Sequence, residues 1–221
     1  MTKKAPKKSK KLPPEPLTPD EVYQLMGACG HGTCGVRDRA MLIVWWRAGL
    51  RCSEALSLQP RDIDRTAEGL VVRVRHGKGN RNRTVALASD AAGYFEAWLA
   101  VWKAEFEGSK YIFCNVKARS GKRKGAKLSP ITVRSLLMRL RKKAGLEKRV
   151  HAHGLRHTFA LELDDEGKPL RVIQHALGHA NAQTTSTYLS SMGGKEVLGA
   201  LQSRAMPNPT PVKSSKARAR A

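Results

Sequence analysis

Two arginines, two histidines, a lysine and a tyrosine stand in this sequence at spacings that could bring them to one phosphodiester. GLRCSEALSL places Arg51 directly after a helix-ending glycine, with Glu54 three residues later. HAHGLRHTFA places His153 and Arg156 three apart, on one face if the segment is helical. Lys78 sits in HGKGNRN, and LGHANAQTTSTYLS carries His179 and Tyr188 nine residues apart. On one unbroken helix that separation would put the two side chains about half a revolution apart. Gly178 and Asn181 can end one helix and cap the next, so a break there would let both face one pocket.

This set suits phosphoryl transfer. The transition state spreads negative charge over the nonbridging oxygens, which forked, permanently charged guanidiniums can bind. A tyrosine hydroxyl is a competent nucleophile if a base or the local field helps remove its proton. Lysine is protonated at neutral pH and can supply a leaving oxygen with its proton, and histidine can donate to phosphate or shuttle a proton. There is no Gly-x4-Gly-Lys-Ser/Thr phosphate loop in the sequence and no paired-carboxylate cluster near these motifs. The reading therefore uses neither ATP nor two-metal catalysis, and no cofactor. Exchanging one phosphoester for another needs no external energy source.

Composition points to a polyanionic partner. The 221 residues carry 41 Lys and Arg against 18 Asp and Glu, a formal charge of +23. No apolar run approaches membrane-spanning length, the basic stretches lack a companion apolar face, and no secretory signal is visible, so no membrane partner is expected. Cys29 and Cys34 flank His31 without a second Cys pair at zinc-finger spacing. They read as a Gly-rich surface loop in a reducing cytoplasm, and no metal site is assigned.

The elements that must position these residues follow from periodicity and punctuation. Residues 1–16 form a Lys- and Pro-rich arm and 205–221 a basic tail, both expected to be disordered. Thr18-Pro19-Asp20-Glu21 is a capping box opening a helix toward Ala28. A mostly apolar helix is expected over 37–50 and a short one over 52–58. Residues 70–87 read as a hairpin with a basic tip, and 111–114 as a short strand. Further helices are expected over 89–106, 129–144, 153–166, 170–177 and 181–191, with a last one at 194–204. The fold class is α+β, mainly helical with a small antiparallel sheet.

Taken in order, Arg-x-Ser-Glu at 51–54, Gly-Lys-Gly-Asn at 77–80, His-x-Leu-Arg-His-Thr-Phe-Ala at 153–160, Leu-Gly-His at 177–179 and Tyr188 resemble the tyrosine recombinases, or phage integrases. The resemblance spans about residues 17–191 and implies that family's catalytic fold, with the domain at 17–204. It implies Arg51 and Arg156 as phosphate clamps, Lys78 as general acid and His153 as base or donor. It implies a phosphate contact from His179 and a 3′-phosphotyrosyl link through Tyr188, with Glu54 orienting an arginine or a histidine. The implied activity is site-specific strand exchange between double-stranded DNA recombination sites by a homotetramer assembled on DNA, with room for an accessory DNA-bending protein. The implied location is cytoplasmic, with the nucleoid. A same-fold DNA binder that does not cut, or a type IB topoisomerase-like nicking enzyme, is the alternative.

Thirteen Lys and Arg lie between 117 and 149, a density that favours DNA-backbone contact. The DNA-binding positions expected are Arg81 and Arg83 in the hairpin, Lys122, Arg123 and position 125 in the second basic loop, and Arg134, Arg141 and Lys142 on the following helix. Two departures from the family stand out. No N-terminal core-binding domain is read before residue 17, and LDDEGK at 163–168 is unusually acidic beside an active-site helix. The apolar Val197, Leu198 and Leu201 are expected to dock on a neighbouring protomer, as in the family, or on their own core.

Overall fold

The computed structural model describes residues 15–75, 82–118, 123–178 and 198–209. Helix α1 (Pro19–Ala28) begins at the expected capping box. The Thr18 hydroxyl accepts from the Glu21 amide, and Glu21 accepts from the Thr18 amide. Helix α2 (Thr33–Trp46) starts four residues earlier than its apolar run suggests, because Gly32 at its N-cap admits the first turn. It is the buried axis of the fold. From Ala40 to Trp46 every residue is inaccessible to solvent, and the helix packs on α4 and α6. A helix apolar all round must be buried all round, which is why its sequence shows no clear stripe.

Helix α3 (Cys52–Ala55) is one turn long, shorter than expected, and a 3₁₀ turn at Pro60–Asp62 follows. The sheet is antiparallel, in the order β1 (Ile63–Thr66), β2 (Gly69–Val74), β3 (Arg83–Ala88). Strand β1 is not among the expected elements. Its IDRT run is half-exposed and mostly polar, and it pairs with β2 from Ile63↔Val72 to Thr66↔Gly69. The β2–β3 hairpin is the expected one, and its register runs from Gly69↔Ala88 to Val74↔Arg83. Helix α4 (Ser89–Phe106) packs against it. Residues 111–114 are not a strand. Only Cys114 makes a bridge, to Lys127, while Ile112 and Phe113 are buried as core residues.

Helix α5 (Pro130–Lys143) is capped by Ser129, which accepts from the Thr132 amide. It buries Val133, Leu136, Leu137 and Leu140 along one stripe. Helix α6 (Ala152–Asp165) is capped by His151, whose Nδ1 accepts from the Gly154 amide at 2.6 Å. Helix α7 (Leu170–Leu177) ends at Gly178 in the left-handed conformation. The helix over 181–191 lies outside the described residues.

The C-terminal segment packs on its own core. Residues 198–202 are helical, and Leu201 is buried. Arg204 pairs with Glu162 and Glu166, Arg47 bridges Glu162 and the Ala205 carbonyl, and the Tyr23 hydroxyl donates to the Pro207 carbonyl. Glu166 belongs to the acidic run that looks out of place in the sequence, and this packing gives it its partner. Val197 lies outside the described residues.

Candidate active site

Arg51, Glu54, Arg83 and Arg156 converge at the C-terminal end of α7. Three features of the backbone bring them there. Gly49 turns the chain at φ 61°, with the Phe159 ring so close that a Cβ would sit 2.4 Å from it. This turn delivers Arg51 to the N-cap of α3. Strand β3 delivers Arg83, and the second turn of α6 delivers Arg156.

Glu54 is the hub. Its Oε2 accepts from the Arg51 amide at 2.7 Å and its Oε1 from Arg51 Nη1 at 2.7 Å. Arg83 binds both carboxylate oxygens through Nη1 and Nη2, each at 2.8 Å. Arg156 Nη1 stands 3.8 Å away. Burial alone would raise the Glu54 carboxyl, but the hydrogen bonds and charge of Arg83, with those of Arg51, outweigh it and hold it at about 2.

The three guanidiniums also end α7. The Gly178 amide takes the Gln174 and His175 carbonyls. The next three carbonyls each receive one arginine. Arg83 Nε donates to Ala176 at 2.9 Å, Arg156 Nη2 to Leu177, and Arg51 Nη2 to Gly178 at 3.0 Å. A helix C-terminus leaves such carbonyls without intrahelical donors and carries partial negative charge, so cations belong there. Arg156 is further held by the Gly49 carbonyl at 2.5 Å.

Three guanidiniums face one carboxylate, so the cluster keeps excess positive charge. Burial, then repulsion from Arg51 and Arg83, pushes Arg156 well below the usual arginine range. An incoming anion would relieve that repulsion. Arg51 is the most open of the three, its side chain 24% exposed against 4% for Arg156 and 5% for Arg83. An arginine has five N–H donors, and among the described residues Arg51 and Arg156 each direct two of them to protein acceptors within hydrogen-bond range.

His153 is exposed on the first turns of α6, and its Nε2 lies 3.0 Å from His157 Nε2. Burial, then the charges of His157 and Arg156, lower its pKa and so favour the neutral imidazole. His157 is the hydrogen-bond partner of His153.

Arg83 is the main correction. It is expected on DNA, but it is buried against Glu54 and α7. Strand alternation carries the signal, because Arg83 shares a face with the buried Val85 and Leu87. Position 125 is Gly125, at φ 80°, and offers no cation. Its neighbour Lys124 lies over Phe106 and pairs with Glu105. Arg141 is turned back onto the carbonyls of Glu147 and Lys148, so it closes the end of α5. Arg123, Arg134 and Lys142 are exposed, as a DNA contact requires. Lys78, Arg81, Lys122, His179 and Tyr188 lie outside the described residues. The structure does set the residue preceding His179, because Gly178 is held by Arg51.

A family profile described as "Phage integrase family" matches residues 15–193. The chain belongs to the phage integrase family. Among curated members it is 35% identical to the tyrosine recombinase XerC of Actinobacillus pleuropneumoniae serotype 7 (strain AP76), over 84% of this chain and 57% of that protein. It is 37% identical to the tyrosine recombinase XerA of Pyrococcus horikoshii, over 84% and 59%. The chain thus spans less than two thirds of the length of these relatives. Among solved integrase-family structures, a XerA recombinase aligns with TM-score 0.66 and 27% identity over 83% of this chain and 65% of that one. The XerH site-specific recombinase bound to difH substrate, in a pre-cleavage complex, aligns with TM-score 0.62 and 28% identity over 77% and 48%. The mainly helical fold with its small antiparallel sheet is therefore the integrase-family fold. Among the described residues no helix is long and apolar enough to cross a membrane.

Proposed function

We propose that this chain cuts and rejoins DNA strands at specific recombination sites through a 3′-phosphotyrosyl intermediate. The observation that carries this reading is the convergence of Arg51 and Arg156 beside the residue that precedes His179. The scissile phosphate seats against Arg51, the more open guanidinium, with Arg156 deeper behind it. Both bind nonbridging oxygens and offset the charge that builds in the transition state. The Tyr188 oxygen attacks phosphorus and its proton passes to a base, a role this reading gives to His153. The bond from phosphorus to the 5′ oxygen breaks, and Lys78 protonates that oxygen. Attack by a 5′ hydroxyl from a partner strand then breaks the phosphotyrosyl bond and returns the proton to Tyr188. His179 donates to the phosphate throughout. The guanidiniums supply the charge a metal would otherwise bring, and phosphoester exchange conserves the bond energy, so neither metal nor ATP has a task. In line with this reading, the XerH site-specific recombinase was solved bound to its difH substrate in a pre-cleavage complex.

The partner is duplex DNA, and strand exchange calls for a homotetramer on two sites, with an accessory DNA-bending protein accommodated. Such an enzyme works in the cytoplasm, with the nucleoid. The test uses a pool of nicked duplexes randomised in sequence, in which the short product diffuses away after cutting. Wild type should leave a protein–DNA adduct that survives denaturant, and Tyr188→Phe should bind the same pool without any adduct. An adduct persisting in Tyr188→Phe moves the nucleophile elsewhere. Binding without any wild-type adduct favours a DNA binder that does not cut.

A further inference from the structure

We propose that Arg83 is a positioning residue for the strand-cutting centre, keeping Glu54 off Arg156 and locking the end of α7 against the arginine pair. This rests on the recombinase reading above, in which Arg51 and Arg156 hold the phosphate. Arg83 itself is buried, and all three of its guanidinium nitrogens are engaged inside the protein.

Glu54 has more than one cation to choose from. One carboxylate stands among three guanidiniums, and it cannot pair closely with all of them. In the structure it gives both oxygens to Arg83 and both to Arg51, Oε2 to the amide and Oε1 to Nη1, while Arg156 Nη1 stands at 3.8 Å. A bidentate pair of this kind is both stronger and more directional than a single contact. Arg83 therefore holds the rotamer of Glu54 together with Arg51. With Arg83 gone, Arg156 is the neighbouring cation among the described residues that Glu54 pairs with only at 3.8 Å, and a small rotation would bring the carboxylate closer onto it. The donors meant for phosphate would then be neutralised by the protein's own carboxylate.

The second contact fixes where the backbone goes. Arg83 Nε holds the Ala176 carbonyl, and a Cβ on Gly178 would lie 3.0 Å from both Arg83 Cδ and Nη1. The end of α7 thus rests directly on this guanidinium, one residue before His179. Through β3, the same side chain ties that end to the β2–β3 pair, between whose strands Lys78 falls in the sequence. One buried arginine sets the relation between the hairpin, the phosphate clamps and the segment leading to the nucleophile.

The test compares Arg83→Met and Arg83→Lys with wild type in the full chain, below the melting temperature of each. Three readouts are taken. On sequences recovered from the randomised nicked pool, single-turnover adduct formation should fall about 10²-fold in Arg83→Met, the scale of a misplacement near 1 Å. DNA affinity should stay within about twofold, because a buried guanidinium releases no counterions. Arg83→Lys should stay within about tenfold of Arg83→Met, since an ammonium lacks the planar fork. The double variant Arg83→Met/Glu54→Gln should be no slower than the worse single variant, because the two act as one unit. Cleavage at the wild-type rate in Arg83→Met, full rescue by lysine, or additive losses in the double variant would each overturn the proposal.

The third readout does not need DNA cleavage. Inorganic sulfate, followed by its stabilisation of the folded protein, should bind about tenfold more weakly to Arg83→Met than to wild type, because Glu54 then competes for Arg156. An unchanged sulfate response overturns the positioning role. If wild type forms no adduct on the pool, the recombinase reading fails by itself, and the sulfate readout still decides whether Arg83 sets the arginine pair.

Discussion

Replacing Glu54 by glutamine tests the arginine cluster most directly, because the size of the effect can be worked from one group. The Glu54 carboxyl is held at about 2, against an ordinary value of 4.5. A tenfold change in acidity is worth about 1.4 kcal/mol between the two protonation states, so the ionised carboxylate contributes roughly 3 kcal/mol at neutral pH. The side chain is only 3% exposed, so solvent screening removes little of this. The folded-state pKa is depressed, so the contribution is fully present above the unfolded value near 4.5. It is lost as pH falls from there toward about 2. Glu54→Gln keeps the shape and removes the charge, leaving three guanidiniums without their anion. Urea unfolding at pH 7 should show the variant roughly 3 kcal/mol less stable, within reach of the roughly 3–5 kcal/mol expected when one partner of a buried pair is removed. Near pH 2 the difference should close, since other carboxylates titrate alike in both proteins. Sulfate should recover more stability in the variant than in wild type. A variant as stable as wild type at pH 7, or a deficit that does not narrow in acid, would refute the hub role of Glu54.

Lys78→Ala should be slow on ordinary DNA, by roughly 10² to 10⁴-fold, and nearly normal on a strand with a bridging 5′ sulfur, which leaves with little need of a proton. Arg51→Ala and Arg156→Ala should stay slow on both, and a lysine variant not rescued by sulfur would place the general acid elsewhere. DNA affinity, measured by fluorescence anisotropy, should fall roughly 10³ to 10⁵-fold between 50 and 200 mM salt if about six to ten phosphates are contacted. A shallow slope would argue against the exposed Arg123, Arg134 and Lys142 as backbone contacts. Gly178→Ala should cost roughly 1–3 kcal/mol in denaturant unfolding, from the left-handed backbone and from contact with Arg83. It should slow cleavage as well, and a neutral outcome would detach the end of α7 from the site.

The local features of this chain are legible without coordinates, because their causes are local. The Thr18 box, the Ser129 cap, the stripe of α5 and the glycine that ends α7 are set by residues within a turn or two of one another. The motif residues Arg51, Glu54, His153 and Arg156 are legible as a group, through their order and types. Strand β1 is not, since IDRT has no apolar alternation, and pairing with β2 creates it. Residues 111–114 look like a strand but become core, because Ile112 and Phe113 find buried partners before they find a strand to pair with. Arg83 shows the divide most clearly. Its neighbours along the chain are basic and turn-forming, which reads as a DNA-facing tip. Its alternation with Val85 and Leu87 turns it inward, and its partner Glu54 lies 29 residues away. Burying a guanidinium is costly unless an anion and a carbonyl meet it there. Sequence supplies the charge, and only the packed arrangement of β3, α3 and α7 determines which charge it meets.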